Sequence, residues 1–390
     1  MTNEINKEIY LDNSATTKCF DEVIDMMDKL MGIDYGNPSS MHIKGFEAEN
    51  YLKEARQIFA DILKVKEKEI IFTSGGSESD NLAIVGAALA NERRGKHIIT
   101  TKIEHPAVSA CMKSLEESGF SVDYLGVDSN GIISLEELRE KLRDDTILVS
   151  IMHVNNEIGA IEPIEEAAKI IKDYNQSIIF HVDDIQGFGK IKIYPSRIGI
   201  DLLSISGHKI HGPKGTGVLY ASSKVKLSPL ILGGGQQGGM RSGTENVPGY
   251  ASMALAAKMI YKDIDAHTNR LYELRDYFVS RAKEIEGVSI NGGGKEIVAP
   301  HIVSLTLFGV RSEVLLHSLE DRKIYVSAGS ACSSHKRAPS PTLSGIGLDA
   351  SGLESTVRFS FSINTTKEEI DSAIDTLSEI APVLTKYRRK

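Results

Sequence analysis

Short apolar runs rich in Ile, Val and Phe alternate through the middle of the chain with longer runs whose apolar positions recur every three to four residues. Residues 69–73 read as a strand and 80–93 as the helix after it. Further strands are predicted over 97–100, 121–124, 147–152, 178–182, 201–205 and 217–220. Helical spacing falls between several of them, as over 108–117, 135–142 and 164–174. Strands alternating with amphipathic helices imply a mainly parallel sheet with helices on both faces. Such sheets take ligands at the carboxyl ends of their strands.

The pattern changes near Met253. One long helical run is predicted over 254–284, then strand-like segments over 301–308 and 356–363, and a last helix over 367–386. This reads as a smaller α+β domain. Residues 333–355 are rich in Ser, Pro and Gly and read as a mobile loop.

Composition narrows the class. The chain has 390 residues, enough for one large domain and a smaller one. A net charge of −8 argues against direct nucleic-acid binding and against an anionic membrane surface. No apolar run reaches the roughly 18 residues that span a bilayer. The polar N-terminus lacks the apolar core of a secretory signal, so a cytoplasmic location is expected. Three cysteines, Cys19, Cys111 and Cys332, are too few and too widely spaced for a disulfide framework or a metal site. No metal is expected.

Candidate chemistry gathers just after the predicted strands. Thr73-Ser74-Gly75-Gly76-Ser77 joins a strand to a helix, and glycines before a helix N-terminus make an anion site suited to a phosphate. Asp183 ends another strand, where a carboxylate can pair with a protonated pyridine nitrogen. Ser206-Gly207-His208-Lys209 places a lysine on a glycine-rich turn after a buried strand. A lysine there can form a Schiff base with an aldehyde. A phosphate site, a strand-end aspartate and a strand-end lysine are the three anchors that pyridoxal phosphate needs.

Other residues fit around these anchors. His105 follows a strand and could stack on a ring or move protons near neutral pH. Asn156 offers an amide to a carboxylate or a ring oxygen. Arg358 could grip a carboxylate or form a structural ion pair. Cys332 lies among small residues at the edge of the 333–355 loop, where a thiolate could attack a sulfur atom and carry it outward.

These residues resemble the pyridoxal-phosphate-dependent cysteine desulfurases of the NifS/IscS type, within the class V aminotransferases. The resemblance runs almost end to end, from Tyr10-Leu11-Asp12-Asn13-Ser14-Ala15-Thr16-Thr17 and Gly36-Asn37-Pro38-Ser39-Ser40-Met41-His42 to Arg358-Phe359-Ser360. Ser206-Gly207-His208-Lys209, Arg241-Ser242-Gly243-Thr244 and Ser330-Ala331-Cys332 are its most specific parts. It implies an α/β chain of transferase fold type I, with a seven-stranded, mainly parallel sheet in a large domain (14–260). A smaller α+β domain (1–13 and 261–390) would carry the Cys332 loop.

The resemblance also implies roles. Lys209 would hold pyridoxal phosphate, Asp183 its ring nitrogen and Gln186 its ring oxygen, with His105 stacked on the ring. Gly76, Ser77, Ser206 and His208 would bind the phosphate, with Thr244 supplied across a homodimer. Asn156, which also faces the cofactor, would hold the carboxylate of L-cysteine with Arg358 and Asn13. Cys332 would accept the sulfur and pass it to an acceptor protein for iron–sulfur cluster assembly or for tRNA or cofactor thiolation. Gln237-Gly238 stands where a glutamate and a charged residue are usual, a difference expected to fall on the dimer rim. The alternatives are a selenocysteine lyase or a small-amino-acid aminotransferase on the same fold, and a non-catalytic sulfur-transfer scaffold.

Overall fold

The computed structural model describes residues 8–328 and 339–386. Strand β1 (Ile9–Tyr10) leads to helices α1 (Asp21–Gly32) and α2 (Ile43–Leu63). Neither helix is anticipated above, although α2 buries Ala48, Leu52, Ala55 and Phe59 at helical spacing. Next come β2 (Ile70–Thr73), α3 (Gly76–Asn91), β3 (His97–Thr101), α4 (Pro106–Glu117), β4 (Ser121–Leu125), α5 (Leu135–Lys141) and β5 (Thr146–Met152). They are followed by α6 (Ile164–Tyr174), β6 (Ile179–Asp183), the single turn α7 (Pro195–Ile198), β7 (Leu202–Ser206) and β8 (Gly217–Ala221).

Seven of these strands form one sheet in the order β2-β8-β7-β6-β5-β3-β4. Strand β8 runs antiparallel to both its neighbours, and the other pairs are parallel. Every residue of the interior strand β5 is buried, as expected where helices cover both faces. The expected α/β architecture is therefore present. Helix α3 starts four residues earlier than the predicted 80. Its first residue, Gly76, lies close on the strand ends: a Cβ there would push the Ile185 side chain aside, meeting its Cδ1 at 2.2 Å, and would touch Ser206 Cβ at 3.4 Å. The glycine brings the helix N-terminus down onto the strand ends.

The predicted run 254–284 is two helices, α8 (Val247–Lys262) and α9 (Ile264–Ala282). They meet at Asp263, whose φ of −135° and ψ of 36° are not helical. Apolar periodicity on both sides of Asp263 concealed the break. Beyond it lie β9 (Val288–Asn291), β10 (Ile302–Leu307), α10 (Ser312–Glu320), β11 (Ile324–Tyr325) and β12 (Ser327–Ala328).

Residues 339–355 are not simply loop. They contain two short helices, α11 (Pro341–Gly345) and α12 (Ala350–Glu354), whose caps Ser340 and Asp349 accept from the N–H groups of Leu343 and Gly352. Capping side chains made this stretch look loop-like. The described residues end with β13 (Thr356–Ser360) and α13 (Lys367–Lys386). A second, antiparallel sheet has the order β12-β13-β10-β9, and β1 pairs in parallel with β11. No helix among the described residues is long and apolar enough to cross a membrane.

Candidate active site

The carboxyl ends of β2, β3, β5, β6 and β7 open on one side of the main sheet, and the predicted residues follow them. Lys209 sits on a one-turn 3₁₀ helix (Gly207–Lys209) directly after β7. Its amine donates to the carbonyl oxygens of Ser14 and, at 2.8 Å, Ala15. The N-terminal motif thus crosses the sheet edge to meet the lysine. Thr17 reinforces the crossing: its N–H and hydroxyl both donate to the carbonyl of His208, each at 2.9 Å.

Asp183, the last residue of β6, is buried and accepts the N–H of Ile185 at 3.0 Å. Burial pushes its carboxyl up to about 6; the Ile185 bond and the Lys209 charge pull the other way. The Lys209 charge also bears on His105 and His208, placing all four groups in one electrostatic cluster. Burial, then that charge, lowers both histidines to about 4, so their rings are neutral near pH 7. His105 caps α4 by accepting Ala107 N–H at Nδ1, 3.1 Å away. The neutral ring therefore carries its proton on Nε2.

Gln186 and Asn13 are buried and already engaged. Gln186 donates to Ser14 O at 3.0 Å and its Oε1 lies 3.3 Å from His301 Nε2. Asn13 donates to the carbonyls of Tyr10 and Ser360. Arg358 forms the structural ion pair. One guanidinium nitrogen pairs with Asp12 Oδ1 at 2.8 Å and another donates to Asn156 O at 2.7 Å, while its buried Nε has no partner.

A cavity of about 240 Å³ lies beside these groups, with His105, Asn156, Glu157, Ser340, Thr342 and Arg358 in its lining. Ser77 is exposed on the first turn of α3 and Ser206 is buried below it. Thr244 is exposed on the loop that Arg241 fastens to Glu78 through a 2.9 Å ion pair. Cys332 lies outside the described residues.

Several site residues carried no clear signal. His301 and Asp12 act through partners hundreds of residues distant or from the other sheet, which spacing along the chain does not reveal. Gln237 is buried within the chain and accepts the N–H of Phe72 on the edge strand β2 at 2.8 Å.

A pyridoxal-phosphate cofactor fits this donor set. The cluster combines a buried strand-end carboxylate, an amine on the next strand end, and a helix N-terminus whose first residue, Gly76, lies against Ser206. Sheet order and site together define a fold-type-I transferase. Residues 9–372 match the aminotransferase class-V family. The cysteine desulfurase IscS of Dictyoglomus turgidum is 44% identical over 96% of this chain and 95% of its own length. Among solved structures, a NifS-like protein superposes with a TM-score of 0.91 at 38% identity, over 97% of this chain and all of the other. SspA in complex with cysteine superposes with a TM-score of 0.78 at 33% identity, over 92% of this chain and all of the other. The chain belongs to the class-V aminotransferase family, in its NifS/IscS group of cysteine desulfurases.

Proposed function

We propose that this protein converts L-cysteine to L-alanine and carries the released sulfur as a persulfide on Cys332. The observation that carries the reading is the cluster of Lys209, Asp183, His105 and His208 at the strand ends, within reach of one lysine's charge. When bound, pyridoxal phosphate supplies an electron sink next to the substrate Cα. Lys209 would hold it, and the Lys209 amine would take the Cα proton of the substrate. Asp183 would hold its ring nitrogen and Gln186 its ring oxygen, and His105 would stack on the ring. Gly76, Ser77, Ser206 and His208 hold its phosphate together with Thr244 of the partner subunit.

Arg358, Asn156 and Asn13 orient the substrate carboxylate. The Cys332 thiolate attacks the substrate sulfur. An S–S bond forms, the Cβ–S bond breaks, and its electron pair stays with the substrate carbon, which is protonated and leaves as alanine. One thiol and one cysteine enter; one persulfide and one alanine result. His105 keeps its proton on Nε2 and can serve proton transfer there.

The same reading includes a cytoplasmic homodimer and a sulfur-acceptor protein for iron–sulfur cluster assembly or thiolation. It also includes a division into 14–260 and 1–13 with 261–390. Two separate apolar clusters support that division, one built from residues 48–260 and one from Ile9, Leu11 and residues 271–381.

The test is the absorption spectrum of purified protein before and after L-cysteine, with alanine and sulfide assayed under dithiothreitol. A yellow band that shifts, with both products formed together, is expected. Cys332→Ala is expected to keep the shift and lose the persulfide. A band without products, and turnover of selenocysteine alone, would reassign the protein as a selenocysteine lyase.

A further inference from the structure

Gln186 and His301 meet from different sheets. Gln186 lies three residues beyond β6 of the main sheet. His301 stands directly before β10 of the small one, and its carbonyl accepts the N–H of Phe361, just past β13, at 2.9 Å. Both side chains are buried. Their contact is His301 Nε2 to Gln186 Oε1, at 3.3 Å.

The direction of that bond follows from its neighbours. The Ser14 carbonyl can only accept, so the Gln186 nitrogen faces it, at 3.0 Å. The amide oxygen then faces His301 and can only accept, so His301 Nε2 carries a hydrogen. Burial, then the charges of Lys190, Arg358 and Lys209, push the His301 pKa well below its ordinary value. The ring therefore holds a single proton near pH 7, and Nδ1 is bare. Nδ1 has no partner among the described residues, so the bond to Gln186 is the one the ring makes among them.

The Gln186 nitrogen has two hydrogens. One is committed to Ser14, whose carbonyl also receives the Lys209 amine. The second is left for a ligand. Turned over, the amide would set acceptor against acceptor at Ser14 and donor against donor at His301.

We propose that His301 is a positioning residue for the cofactor: its Nε2–H fixes the Gln186 amide so that a donor, not an acceptor, meets the ring oxygen. The inference rests on the reading that Gln186 holds that oxygen. A donor there favours the oxygen's negative charge, and with it the less protonated form of the bound cofactor. Losing the donor raises the pH midpoint at which the cofactor band changes.

The experiment is a pH titration of the holoenzyme band without substrate. Gln186→Leu is expected to raise the midpoint. An unmoved midpoint in that variant overturns the assignment of Gln186 to the ring oxygen. His301→Leu is expected to raise the midpoint by about half a unit to one unit, as for one neutral hydrogen bond. His301→Gln, which can place an amide N–H where Nε2–H was, is expected to restore the wild-type value. In the Gln186→Leu background, His301→Leu is expected to add nothing, because it acts through the amide. His301→Asn, one carbon shorter than that glutamine, should behave as the leucine variant and serves if the latter folds poorly. With Gln186→Leu shifted, a wild-type midpoint in His301→Leu and His301→Asn overturns the proposal. So does an equal shift in both backgrounds, which would mark a structural role that does not pass through Gln186.

Discussion

The amine of Lys190 donates to the backbone carbonyl of Lys209 at 2.7 Å. One lysine thereby fastens the turn that presents the other, just beyond the strand ends where the candidate site lies. A weaker bond to the Phe188 carbonyl, at 3.4 Å, completes its grip.

This placement gives Lys190 an unusual titration. Burial and then the Lys209 charge push its amine down to about 7, against the opposing pull of Asp184. The unfolded value is near 10.4. Between those two values the folded state binds fewer protons than the unfolded one, so stability rises with pH through that window. The cost is present in full below about pH 7. Lys190→Met removes the group from both states. The unfolding free energy of wild type minus variant, measured on cofactor-free protein in denaturant, is expected to grow by up to a few kcal/mol between about pH 7 and 10. A difference that stays flat would mean the amine titrates normally.

Asp183 predicts an exchange of stability for function. Its folded pKa, about 6, lies above the usual carboxylate value, with burial the main cause. The folded state therefore holds the extra proton between about 4 and 6, and the full cost of ionisation is felt above that window. Asp183→Asn removes the charge. At pH 7 the cofactor-free variant is expected to be more stable than wild type, by about 1–3 kcal/mol, and that gain should vanish near pH 4. Activity with L-cysteine should fall by about a hundredfold or more, as for a lost proton-holding group. A variant that is both less stable and inactive would assign Asp183 a structural role.

Arg358 joins the two sheets chemically, since its strand β13 lies in the small sheet while Asn156 follows β5 of the main one. Its Asp12 partner fixes the plane of the guanidinium. Lysine keeps the charge but not the planar fork. Arg358→Lys is expected to raise KM for L-cysteine about tenfold or more, with the cofactor band unchanged. An unchanged KM would leave Arg358 a structural link only, paired with Asp12 and bonded to Asn156 O.

Much of this arrangement was legible in the sequence because it is local. Strand β5 reads as a continuous apolar run, and Asp183 and Lys209 each follow a strand by a fixed, short offset. The helix α6 declares itself through Ile164, Ala167, Ala168 and Ile171. What stayed hidden depends on contacts distant in sequence. Nothing near Ser14 announces that its carbonyl receives both Lys209 and Gln186. Nothing near Ser340 announces Glu157, 183 positions upstream. The break at Asp263 was lost for a different reason: one non-helical residue does not interrupt a period of 3.6.

Gln237 shows how an unusual residue can be absorbed by the fold rather than the chemistry. Strand β2 lies at the sheet edge, and an edge N–H that is buried must find a partner. The Gln237 amide oxygen accepts both Phe72 N–H and Arg56 Nη2, at 2.8 and 3.1 Å, while its nitrogen donates to Glu245 at 2.7 Å. Gln237→Ala leaves the Phe72 N–H without its acceptor, at a cost of about 1–3 kcal/mol. The melting temperature is expected to fall by several degrees with the cofactor band intact. Gln237→Glu keeps both accepted bonds but sets a carboxylate against Glu245. It should be destabilised at pH 7 and recover in the double variant with Glu245→Gln, where the amide is exchanged across the pair. Failure of the double variant to recover would place the importance of Gln237 in its left-handed backbone, with φ of 50°, rather than in its amide.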